Sequence, residues 1–247
     1  MATCSPNTDR TDEINDPGAA PFGNFINYYT FNPPENRLNL IPATLLRDLD
    51  YNGDTTLILD VGCNSGELST AFYKHLVPDC EEQSDDSKVY LLGFDLDEIL
   101  IQRAQQTNSL PSSISFITMD IIKDTEQLQH YLDQHGCSSF HLCLCLAVTM
   151  WIHLNHGDSG LLQLLSRLAT FSQHLLLEAQ PWKCYRSAAR RLRKLGRSDF
   201  DHFKTLNIRG DIAEHAREHL ENHCGMELIQ SFGSTSWDRK LLLFKRR

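Results

Sequence analysis

The apolar residues of this chain fall into short runs separated by polar, helix-periodic stretches. Leu57-Ile58-Leu59, Asp60 and Val61 predict a buried central strand over 55–61. Gly62 and Gly66 then allow a sharp turn into a helix that begins near Glu67 and runs through Phe72 to Leu76. The same alternation returns downstream. Residues 89–94 predict a second strand ending on Asp95, with a helix over 96–106, and residues 114–119 predict a third ending on Asp120. The run 140–146 is apolar except for His141, as a strand covered on both faces should be. Residues 147–158 read as a loop followed by a helix to about Phe171, and 174–178 as a fifth strand. Helices over 185–195 and 211–223, then strands over 227–232 and 240–244, complete the count, and a short helix over 42–49 precedes the first strand. The expected fold is α/β: one domain with a seven-stranded, mostly parallel sheet, helices on both faces and an antiparallel hairpin at one edge.

Residues 1–20 are polar, contain Pro17 and Gly18 and lack periodicity, so they are expected to be a mobile tail ahead of a domain over 21–247. Phe22, Phe25, Tyr28 and Tyr29 place four aromatics in eight residues, more than a solvated arm should expose. This strap either packs on the domain or folds over something bound to it, and the two readings are compatible. Between Asp79 and Asp86, five of eight residues are acidic, which marks a surface loop.

The turn after the first strand carries the chemistry. Asp60, Gly62 and Gly66 give the spacing D-x-G-x-x-x-G, in which glycines admit a ligand close to the main chain and the following helix offers free N–H donors. Asn64 breaks the three-glycine dinucleotide pattern, and the spacing instead resembles the first motif of S-adenosylmethionine-dependent methyltransferases. An acid at the end of the second strand suits ribose hydroxyls, and Asp95 stands there. Asp120 repeats the arrangement one unit later. His215, His219, His223 and Cys224 have zinc-like spacing but no second ligand cluster, so no metal is expected. His153 and His156 flank Asn155 in the loop after the fourth strand, where one of them could touch a substrate phosphate.

Charge narrows the partners. The net charge is −9, from 23 basic and 32 acidic residues, which argues against indiscriminate nucleic-acid coating. Yet residues 183–197 hold seven positive charges, with Arg186, Arg190, Arg193 and Arg197 on one helical face. That face is the candidate phosphate-binding surface, the alternative being a merely solvated one. Eight cysteines occur without a C-x-x-C pair, no apolar run is long enough to span a membrane, and the N-terminus lacks a secretion signal. A cytoplasmic protein is expected.

Longer motifs sharpen this. The segments Thr149-Met150-Trp151-Ile152-His153-Leu154-Asn155-His156-Gly157-Asp158 and Glu178-Ala179-Gln180-Pro181-Trp182, with the strap from Phe22 to Leu38, resemble the bicoid-interacting-protein family of RNA 5′-phosphate methyltransferases. Within it, Trp182-Lys183-Cys184-Tyr185-Arg186 and Thr235-Ser236-Trp237-Asp238-Arg239 are similar to the RNA 5′-monophosphate branch. The resemblance, over about 22–244, implies a Rossmann-like class I methyltransferase domain using S-adenosyl-L-methionine. Its cofactor contacts would be Tyr29, Arg37, Asn64, Asp95, Asp120, Ile121 and Leu146, beside Asp60 and Gly62 of the glycine turn. Arg37 would face the methionine carboxylate, Asp95 the ribose, and Asp120 with Ile121 the adenine. Tyr28, His153, Arg239 and Lys183 would position the RNA phosphate. The triphosphate-capping branch has Lys where this chain has Met150, so a less charged terminus is expected here, and Ala179 replaces a Pro usual in the family. Expected partners are RNAs with a 5′-monophosphate, namely microRNA precursors and histidine tRNA, bound by a monomer with no membrane contact. The alternatives are a methyltransferase acting on a small molecule or protein, and a non-catalytic RNA-binding regulator.

Overall fold

A computed structural model describes residues 20–51, 55–77 and 88–247. The tail expected over 1–20, apart from Ala20, and the acidic loop expected over 79–86 lie outside the described residues. Strands β1 (Thr55–Val61), β2 (Lys88–Asp95), β3 (Ile114–Thr118), β4 (Phe140–Leu146), β5 (Ser172–Glu178), β6 (Met226–Ser234) and β7 (Lys240–Arg246) form one sheet. Its order is β3-β2-β1-β4-β5-β7-β6. Neighbours among β1 to β5 pair in parallel, whereas β7 runs antiparallel to both β5 and β6. Parallel neighbours need crossover connections, which the helices between these strands supply, while the short turn from β6 to β7 makes an antiparallel pair.

The central strands alternate their side chains between two cores. Leu57, Leu59, Val61, Cys143 and Cys145 pack on one face. Ile58, Leu142 and Leu144 pack on the other. Each fully buried leucine of this kind stabilises the fold by about 1.5–3 kcal/mol. Both faces are covered by helices: α1 (Tyr28–Phe31), α2 (Glu35–Leu38), α3 (Leu45–Asp48), α4 (Glu67–Leu76), α5 (Glu98–Thr107), α6 (Glu126–Gln134), α7 (Thr149–Phe171), α8 (Trp182–Lys194) and α9 (Ile212–His223). Asp97 caps α5 by accepting from the N–H groups of Ile99 and Leu100.

Three differences from the sequence expectation matter. Residues 149–156 are helical rather than a loop, because Thr149, Met150, His153 and Leu154 recur at helical spacing on the buried side. Helix α7 is interrupted at Gly157, whose φ is 71°. Helix α6 has no counterpart in the expectation, and the helix expected over 42–49 contracts to α3.

Strand order reverses between β1 and β4. A crevice outside the carboxyl ends of two such strands is where open α/β sheets bind ligands.

Candidate active site

Two cavities meet at that edge. The first, about 490 Å³, is lined by the end of β1 and the turn after it (Asp60, Gly62, Asn64), by the end of β2 (Asp95), by the residues after β3 (Asp120, Ile121) and by Leu146. The second, about 570 Å³, is lined by Arg239, Lys183, Arg191, Trp237, Phe31 and Met150, among others. Tyr28, Ala147 and Trp151 belong to both walls. Among the described residues, no cluster of His, Cys, Asp and Glu fits a metal ion.

The strap roofs this edge. Asn64 Nδ2 donates to the Phe25 carbonyl at 3.0 Å, Tyr29 Oη to the Cys63 carbonyl at 3.1 Å, and Asn155 Nδ2 to the Pro21 carbonyl at 2.9 Å. Asn24 Nδ2 reaches Asp97 at 2.7 Å. Phe25 meets Trp151 edge-on, with ring centroids 5.7 Å apart. The strap packs on the domain, the first of its two expected readings, and its Tyr28 lies on the walls of both cavities. Gly23 lies so close to Trp151 that an added Cβ would sit 2.2 Å from the indole Nε1.

The first cavity is acidic in a graded way. Asp60 is buried, and burial pushes its carboxyl up to about 7 against the pull of the Ser69 hydroxyl and Arg37. Burial also raises Asp95, although it accepts the backbone N–H groups of Asn64 and Asp97. Asp120 ends lower than an ordinary carboxyl, because Lys123 and the Ile122 N–H outweigh its partial burial.

Beneath the second cavity lies a buried charge cluster. Glu178, at the end of β5, holds Arg37 through Nε and, at 3.2 Å, through Nη2. It also accepts from Arg239 Nη1 at 3.0 Å. Arg37 Nη2 donates to the Tyr28 hydroxyl at 2.9 Å. Arg37 Nη1 and Arg239 Nε are buried without a hydrogen-bond partner. Burying two guanidiniums around one carboxylate is costly unless a further anion completes the set. Arg37, expected to face the methionine carboxylate, is fully buried and lines neither cavity, because Glu178 and Tyr28 hold its guanidinium.

His153 departs from the role expected of it. It is fully buried and lines neither cavity, with Nδ1 against the Tyr185 hydroxyl at 3.0 Å and Nε2 against Asp158 at 2.7 Å. The helical path of residues 149–156 turns it inward, while His156 and Asn155 line the first cavity. Lys183 lines the second cavity and pairs with Asp238 at 3.0 Å. On the outer surface, Arg186, Arg190, Arg193 and Arg197 are exposed, and of these four only Arg193 has an acidic partner among the described residues, Asp199 at 3.9 Å.

A family model described as Bicoid-interacting protein 3 matches residues 140–246. A pre-miRNA 5′-monophosphate methyltransferase of Danio rerio is 64% identical over 245 residues, covering 96% of each chain. The chain belongs to the Bicoid-interacting protein 3 family. Its relative of the same description in Xenopus laevis is 52% identical over 240 residues, covering 93% of this chain and 94% of that one. Among solved structures, magnesium protoporphyrin IX methyltransferase from Synechocystis superposes with a TM-score of 0.54 at 15% identity, covering 99% of this chain and 100% of that one. At that identity the likeness shows the fold, a class I methyltransferase sheet with its antiparallel edge.

Two residues of this Bicoid-interacting protein 3 member that the sequence reading quoted only within a motif take on a role in the structure. Glu178 ends a strand as Asp95 and Asp120 do, and the strand-end rule would have found it. Gln180 is buried and clamps the turn after β4: its Nε2 donates to the Ala147 carbonyl at 2.5 Å, and its Oε1 accepts the Met150 N–H at 3.2 Å. Ala147 sits in the left-handed region at φ 62°, a strain for a residue with a Cβ that the clamp holds in place.

Proposed function

We propose that this protein transfers a methyl group from S-adenosyl-L-methionine to a terminal phosphate oxygen of RNA bearing a 5′-monophosphate. The observation that carries this reading is the pair of cavities sharing Tyr28, one acidic and at the sheet's switch point, the other lined by Arg239 and Lys183. The residues present fit the methyl donor: Asp95 and Asp120 offer carboxylates to a ribose and an adenine, and Ile121 and Leu146 offer apolar walls. When bound, S-adenosylmethionine supplies an electrophilic methyl on a sulfonium centre.

The protein's own contribution is alignment. A phosphate oxygen is anionic near neutral pH, so no general base is needed. The Tyr28 hydroxyl and the Arg239 guanidinium aim that oxygen by charge-assisted hydrogen bonds. Holding two reactants in attack geometry can contribute about 7–11 kcal/mol. Met150, an apolar side chain in the wall of the second cavity, leaves fewer cations there, which favours a monophosphate over a triphosphate end.

Precursor microRNAs are the proposed substrates, supported by the names of the relatives, with histidine tRNA a further candidate. The exposed arginine face would hold the RNA body. A monomer in the cytoplasm is proposed, and no described helix is long and apolar enough to cross a membrane. The test is transfer of labelled methyl to a 5′-monophosphorylated RNA and to the same RNA after phosphatase treatment. Labelling confined to the phosphorylated RNA supports the reading. Undiminished labelling after phosphatase overturns it in favour of another acceptor.

A further inference from the structure

The wall of the second cavity carries the cations Lys183, Arg191 and Arg239, and each is engaged within the protein. Arg239 Nη1 donates to Glu178 at 3.0 Å, the Arg191 guanidinium stands 5.5 Å from the Phe25 ring centroid, and Lys183 Nζ meets Asp238 at 3.0 Å. They differ in depth. The Arg239 side chain is only 13% exposed, whereas those of Lys183 and Asp238 are 53% and 79% exposed. The cavity therefore has a sheltered positive end and, at its open rim, a cation already matched by a carboxylate. That pair ties the first turn of α8 to the turn between β6 and β7. The turn is closed by the Asp238 N–H donating to the Thr235 carbonyl and the Thr235 N–H donating to the Arg239 carbonyl, both at 2.9 Å. Asp238 stands at φ 61°, a left-handed backbone that Asp and Asn adopt more readily than most residues.

With a terminal phosphate against Tyr28 and Arg239, what lies at the rim depends on the length of the 5′ end. A monophosphate brings its uncharged ribose there. A triphosphate brings further anionic phosphates, which meet the Asp238 carboxylate and must take Lys183 from it, and like charges placed together disfavour the wrong partner. We propose that Asp238 is a specificity-determining residue: it occupies Lys183 at the rim and sets a negative charge where the inner phosphates of a longer 5′ end would lie, so that the site takes a terminal monophosphate. This rests on the phosphate-methylating function proposed above. Asp238 acts on the end that is refused, leaving the accepted one to Tyr28 and Arg239.

The test uses the full-length protein and one RNA sequence carrying either a 5′-monophosphate or a 5′-triphosphate. Affinity is read by fluorescence anisotropy without methyl donor, and kcat/KM by methyl transfer. Asp238→Asn keeps the side chain's size and suits the left-handed backbone, so the turn is retained. It is expected to raise affinity for the triphosphate RNA by about three- to fivefold, the upper range for an exposed charge pair, with monophosphate affinity within about twofold. Adding Lys183→Gln to Asp238→Asn removes the cation thus released, and the ratio of triphosphate to monophosphate affinity should fall again. Should Asp238→Asn fail to fold, Asp238→Gly, which fits the same backbone, must raise that ratio.

A role confined to the turn would scale both RNAs equally. An unchanged or lowered ratio in Asp238→Asn overturns the proposal, as does a raised ratio that Lys183→Gln leaves in place, because the rim cation is then not what Asp238 withholds. If the unaltered protein does not favour 5′-monophosphorylated over phosphatase-treated RNA, it is the function proposed above that fails, an outcome distinct from a protein with that preference whose tolerance of longer ends Asp238 does not control.

Discussion

The hydroxyl of Tyr28 accepts a hydrogen bond from Arg37 Nη2 at 2.9 Å, while the same side chain lines both cavities. A residue buried beneath the site is thereby tied to the boundary at which methyl donor and phosphate would meet. Tyr28→Phe keeps the ring, with its edge contact to Tyr29 at 5.2 Å, and removes only the polar contact. A hydrogen bond to a charged group is worth about 1.5–3 kcal/mol, so kcat should fall by roughly 10- to 100-fold, with little change in folding. Steady-state kinetics alongside circular dichroism would check this.

Asp60 predicts a pH dependence. Its carboxyl is pushed up to about 7 from an ordinary 3.8, chiefly by burial. The folded state therefore binds the proton more tightly than the unfolded one, and this group's contribution to stability declines as pH rises from about 4 to 7. A cationic ligand in the first cavity favours the ionised form. Affinity for S-adenosylmethionine should thus climb between pH 6 and 8, by at most about tenfold per unit below 7, and level off above. S-adenosylhomocysteine, which lacks the sulfonium charge, should climb less, and Asp60→Asn should flatten both profiles. Calorimetric titration across this range would show it.

The exposed arginines predict a salt effect. Changing Arg186, Arg190, Arg193 and Arg197 together to Ala should weaken RNA binding without altering affinity for S-adenosylmethionine. Each RNA phosphate left without its arginine lowers the salt slope of log K by about 0.7–0.9, so the fourfold variant should show a slope shallower by about 3. A slope equal to that of the unaltered protein would show that the RNA runs elsewhere.

His153 and Asp158 predict a stability effect. Asp158 accepts from His153 Nε2, from the Asn207 N–H at 2.8 Å and from the Ile208 N–H at 3.2 Å, and these partners outweigh its partial burial to hold its carboxyl down to about 2. Its contribution is fully present above about pH 4 and is lost as pH falls through 2. Asp158→Asn should cost about 1–3 kcal/mol and lower Tm by several degrees. His153→Ala should likewise lower Tm while leaving the preference for 5′-phosphorylated over phosphatase-treated RNA unchanged. A vanished preference would return His153 to the phosphate site.

The fold was legible wherever local pattern determines structure. Strands β1 and β4 occupy the expected spans because their residues are buried on both faces, leaving no period to misread. The start of α7 was not legible. Val148 stands at its N-cap with no side-chain cap, and the acceptor for the Met150 N–H arrives from Gln180, 30 residues away. Helix α6 buries only Leu128 and Leu132, too thin a stripe to stand out in a polar stretch. For the site, the strand-end acids could be found by position. The pairing of Arg37 with Glu178 across 141 residues could not, since only the folded sheet brings them together.

Gly23 has no side chain to offer a reactant, yet the seating of the whole N-terminal cover depends on it. With φ at +78° and the indole of Trp151 where a methyl group would project, any larger residue must tilt that ring or lift the segment. Because Trp151 is a partition common to both chambers, one extra carbon there would disturb donor and acceptor compartments together.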